Sequence, residues 1–97
     1  MLYLGWVDGD DMTAVPEGPW EDGFVLRPGL VLLDSTHPRS VVYHGLKWSQ
    51  PEGRAVLVAP LADAPKAKGM APGLRAWLQA AEPTREGPAS GASTSSR

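Results

Sequence analysis

The sequence predicts an α+β fold: a small antiparallel sheet of four or five short strands, with one short C-terminal helix packed on a face. Three observations carry this expectation. Short runs rich in Val, Leu and aromatic residues alternate with breaks, and 11 Gly and 10 Pro in 97 residues are too many for long uninterrupted helices. The segment after Pro72 spaces its apolar residues three and four apart, at Leu74, Trp77, Leu78 and Ala81, the pattern of one helical face. Finally, every Leu, Val and Phe precedes residue 83. One domain over residues 1–82 therefore holds the core, and residues 83–97 have the Ser, Ala, Gly and Pro composition of a flexible tail.

The elements follow in order. Residues 2–7, Leu-Tyr-Leu-Gly-Trp-Val, read as a strand ended by Asp8-Gly9. Asp10 to Asp22, with Pro16, Gly18 and Pro19, reads as an extended loop. Strand composition resumes over Phe24–Leu33 but is broken at Arg27-Pro28-Gly29, where Pro suits the first central position of a turn and Gly the second, with positive φ. This predicts two short strands or one sharply bent one. After the turn residues Asp34 to Arg39, the segment Ser40–Trp48 is rich in β-branched and aromatic residues and reads as a strand, followed by another over Arg54–Ala59.

Two successive hairpins would form a meander pairing Leu32 with Val42, Leu30 with His44, Leu46 with Val56, and His44 with Val58. Both faces of that sheet would be largely apolar. A single helix, begun near Pro72 and ended by Pro83, covers only one of them. A second copy of the chain, or the N-terminal strand and loop, would have to cover the other, and this is the reason to expect a homodimer.

Composition excludes several function classes. Without cysteine there is no disulfide framework, thiolate metal site or cysteine nucleophile, and the default location is cytoplasmic. The longest apolar stretch, Ala55 to Ala62, is far short of the ~20 residues that span a bilayer, and the N-terminal residues lack a basic signal-peptide region. No membrane partner is expected. The absence of Ile and Asn beside 12 Ala points to GC-rich coding, as in a GC-rich bacterial source.

The formal charge of −2 hides an asymmetry. Residues 1–34 carry seven acids against Arg27 alone, whereas residues 35–82 carry six bases (Arg39, Lys47, Arg54, Lys66, Lys68, Arg75) against three acids. The halves could dock on one another, or the basic side could face an anion. Solvated faces are the plainer reading.

Catalytic and cofactor motifs are sparse. The cluster Asp8-Gly9-Asp10-Asp11 fails the EF-hand template, with Met12, Thr13 and Pro19 standing where Asp or Asn, Gly and Glu are required. Two histidines, His37 and His44, are too few for a zinc site, so no metal ligand is assigned. No nucleophile elbow, phosphate loop or dinucleotide fingerprint occurs, and no cofactor is implied.

The remaining constellation is basic and aromatic: Arg39, Tyr43, His44, Lys47 and Trp48, then Lys66 and Lys68. Aromatic stacking with cationic contacts is how β-surfaces hold nucleotides or single-stranded nucleic acid, although so few scattered charges support nucleic acid only weakly. The leading expectation is a non-enzymatic binding or protein-interaction module that self-associates. The alternative is a small enzyme or anion-binding domain in which His44 is the acid–base and Arg39, Tyr43, Lys47, Lys66 and Lys68 hold a phosphate or carboxylate.

Overall fold

The computed structural model describes the backbone of residues 1–86 and side chains through residue 80. The elements are β1 (Leu2–Val7), β2 (Asp22–Arg27), β3 (Leu30–Asp34), α1 (Arg39–Trp48), β4 (Val56–Leu61) and α2 (Leu74–Glu86). The four strands form one antiparallel sheet in the order β2-β3-β1-β4. The α+β class and the antiparallel sheet are as the sequence predicts, and α2 lies where the helical spacing places a helix.

The β2–β3 connection is the predicted Pro-Gly turn. Gly29 has φ 86°, and its N–H and carbonyl bond Met12 (3.0 Å) and Val7 (2.9 Å). A Cβ here would come within 2.4 Å of the Gly9 carbonyl oxygen, so both the backbone conformation and the space require glycine.

Residues 39–48 form a helix, and the expected strand over Ser40–Trp48 is corrected. The four cross-strand pairs predicted for it are absent, because β3 and β4 both pair with β1 and lie on its two sides. Two strands antiparallel to a common neighbour run parallel to each other. A tight hairpin cannot join them, so the chain must cross over the sheet, and a helix is the usual crossover. Local signals agree: Pro38 takes the N-cap position, with its carbonyl accepting from Val41 and Val42 N–H, and the apolar pair Val42 and Leu46 is spaced four apart. The β-branched pair Val41-Val42 is the local feature that favours a strand instead.

The crossover settles what covers the sheet. On one face, Val42 and Leu46 of α1 pack with Tyr3, Val7, Met12, Val31 and Leu33. On the other, Met70, Leu74, Trp77 and Leu78 pack around Leu2, Leu26 and Leu32. Each face thus carries a helix of the same chain, so no sheet face is left wholly bare as the expected homodimer required, although Trp6 and Leu57 at the β4 side of the α2 face stay exposed. α2 is anchored by Trp77, whose indole N–H donates to Asp22 (3.0 Å) and whose ring lies 5.9 Å from that of Phe24. The helix backbone continues past Pro83, where the sequence predicts its end, to Glu86. The predicted contribution of Ala81 to its apolar stripe lies outside the described side chains, and of the predicted tail, 83–97, the residues from 87 onward lie outside the described residues.

α1 sits close to the sheet because β1 offers a glycine beneath it. A Cβ on Gly5 would be 2.9 Å from Leu46 Cδ2 and 3.1 Å from Val31 Cγ1. The entry to α1 is held by polar contacts: buried Ser35 donates its hydroxyl to the Pro19 carbonyl (2.6 Å) and accepts from His37 N–H (3.0 Å), while Tyr3 donates to the His37 carbonyl (2.7 Å).

Candidate functional site

The sequence-predicted site residues fall into two groups. Arg39, Tyr43, His44 and Lys47 lie on α1, whose inward residues pack on one face of the sheet. Lys66 and Lys68 lie in the segment before α2, and Met70, two residues on, belongs to the cluster on the opposite face. The sheet therefore lies between them: among the described residues Lys66 lines a groove beside α2, and His44 and Lys47 lie on α1.

On α1, His44 is exposed and flanked by aromatic rings, Tyr43 at 5.2 Å edge-on and Trp48 at 6.0 Å. No carboxylate or hydroxyl is hydrogen-bonded to His44 among the described residues, so nothing there orients the imidazole for proton transfer. Likewise, no group of three or more metal-ligating side chains occurs among the described residues. Asp11 of the N-terminal acid cluster is engaged by Arg54, at 2.7 and 3.3 Å. That guanidinium, by hydrogen bonding, holds the Asp11 carboxyl below its usual value, assisted by a backbone hydrogen bond.

A different surface stands out, one that sequence reasoning did not single out. β2 and β4 are the two edges of the sheet, and an open edge is a template for pairing with another strand. The β2 edge is protected: it begins with Asp22 and ends with Arg27, is irregular between Val25 and Arg27, and its Leu26 carbonyl accepts from Ala71 N–H (2.9 Å). β4, Val-Leu-Val-Ala-Pro-Leu, carries no charge.

The register shows which β4 groups have no strand partner among the described residues. Along β1, Val7 N–H donates to Gly29 on the β3 side and Asp8 N–H to Ala55 on the β4 side. Alternation then directs Leu2, Leu4 and Trp6 toward their partners Leu61, Ala59 and Leu57, and turns the N–H and C=O groups of Val56 and Val58 outward. Pro60 takes the third outward position, where its missing N–H costs the sheet nothing.

Large apolar side chains remain exposed around this edge. Leu57 is 52% exposed and its cross-strand partner Trp6 40% exposed, both on the α2 face of the sheet. β3 ends beside Leu2 and β4 starts beside Val7, so α1 carries the chain from one end of the sheet to the other. Its last residue, Trp48, is 78% exposed and lies at the end where β4 begins. The start of β4 thus offers free backbone groups with apolar groups exposed nearby.

No described helix is long and apolar enough to cross a membrane. Comparison with protein-family models, with curated proteins and with solved structures finds no significant match to this chain.

Proposed function

We propose that this chain is a non-enzymatic protein-interaction module that pairs through the edge of β4, with a second copy of itself as the partner. The observation that carries the reading is the contrast between the edges: β2 is charged, irregular and bonded by Ala71, whereas β4 is uncharged and open beside Leu57 and Trp6. Natural edge strands are usually blunted by charge, bulges or a covering segment, and of those devices β4 has only Pro60.

A two-fold axis beside Leu57 would set Val56 against Val58 of the second copy, twice, making four backbone hydrogen bonds without calling on Pro60. The two Leu57 side chains would then meet at the axis, each beside its own Trp6. At roughly 1 kcal/mol net per hydrogen bond plus burial of these side chains, such a contact gives a modest, concentration-dependent dimer.

Light scattering over a concentration series tests it. The chain dimerises as concentration rises, and Leu57→Lys, which places a charge on an exposed site, returns it to monomer, with a melting temperature that matches wild type at dilutions where both are monomeric. A wild-type chain that stays monomeric to about 1 mM, the concentration of a weak contact near 4 kcal/mol, overturns self-pairing. Dimerisation that persists in Leu57→Lys overturns the choice of edge.

A further inference from the structure

A groove lies away from the β4 edge, between the 64–71 segment and α2. Its volume is about 640 Å³, within the ~300–1,000 Å³ range of small-molecule sites. Met70, Leu74 and Leu78 supply apolar walls, and Lys66, Arg75 and Gln79 supply polar ones, with no acidic side chain lining it among the described residues.

The start of α2 adds positive charge beside this groove. An acid in the first turn of a helix would complement its positive end, and α1, which begins at Arg39, has none. The first turn of α2 has none either and instead bears Arg75, and neither Arg75 nor Lys66 makes an ion pair among the described residues. Positive charge from two side chains and the helix end therefore accumulates beside an apolar wall.

We propose that this groove binds a small organic anion with an apolar body, an alkyl or aryl carboxylate. The carboxylate is held by Lys66 and Arg75, and the hydrocarbon lies against Met70, Leu74 and Leu78. The site keeps one cation of the basic constellation predicted from sequence, Lys66, and pairs it with Arg75 rather than with His44. It does not depend on self-pairing through β4.

The test is an amide-resolved NMR titration of the full chain with octanoate, using 1-octanol and inorganic phosphate as separate probes. Octanoate shifts the Gly69, Met70, Ala71 and Arg75 amides saturably, while octanol and phosphate, each lacking half of the recognised chemistry, act more weakly. Lys66→Gln and Arg75→Gln change exposed residues, and each weakens octanoate about tenfold, as expected for loss of one charge-assisted contact. The proposal is overturned if octanoate gives no saturable shifts, if octanol matches it, or if both variants bind as the wild type does.

Discussion

At the scale of single residues, close approach and polar satisfaction decide the costs. Gly5 lies under α1 with room for hydrogen only, since an added Cβ would press on Leu46 and Val31, both fully buried. Gly5→Ala lowers stability by about 1–3 kcal/mol in urea unfolding, the range for overpacking a core. Ser35 uses its hydroxyl as both donor and acceptor in a fully buried position. Ser35→Ala leaves the Pro19 carbonyl and His37 N–H without that partner and costs about 1–3 kcal/mol by the same measurement.

Asp11 is exposed, so its ion pair acts mainly on the pH profile. Its carboxyl titrates below the unfolded value, 3.8, because Arg54 bonds the charged form. The contribution is thus fully present above that value and is lost as pH falls through the lower folded value. Thermal melts of Asp11→Asn differ from wild type near neutral pH and converge with it in acid.

At the scale of elements, α1 is the instructive case. As a strand, Ser40–Trp48 would set His44 and Leu46 on one face and make both costly to truncate. As a helix it separates them by about 200°, burying Leu46 and exposing His44. Leu46→Ala therefore costs about 2–5 kcal/mol, whereas His44→Ala stays within about 0.5 kcal/mol, and urea unfolding of the pair reads the difference. β1, the Pro28–Gly29 turn and the Leu74–Trp77–Leu78 stripe were legible because each depends on local chemistry: strand composition, a positive φ and a helical period. The residues of α1 satisfied both templates. Their β-branched content favoured a strand and their Val42–Leu46 spacing a helix, and the parallel relation of β3 and β4 decided between them.

At the scale of the whole molecule, one crossover reorganises the candidate sites. By lying over the face that a meander would have left bare, α1 completes the core within the chain and moves the question of self-association from a sheet face to a sheet edge. Hydrogen exchange provides a direct reading of that edge. Amides of Val56 and Val58, which point outward in the single chain, become more slowly exchanging as concentration rises. Those of Leu57 and Ala59, already bonded to β1, change little. Of the basic site residues the sequence points to, Lys66 borders one groove together with Arg75, which was not among them, while His44 and Lys47 lie on α1, across the sheet.

The sequence by itself determined the breaks, the class and the presence of two apolar sheet faces, because turn geometry, side-chain alternation and helical spacing act over a few residues. Only the tertiary structure decided that β1 lies between β3 and β4, and from that order came the helical state of 39–48, a helix on each face and β4 at the sheet edge. Strand order is a matter of contacts between residues far apart in the chain. Leu2 faces Asp34 on one side and Leu61 on the other, and no local preference of those residues specifies either partner.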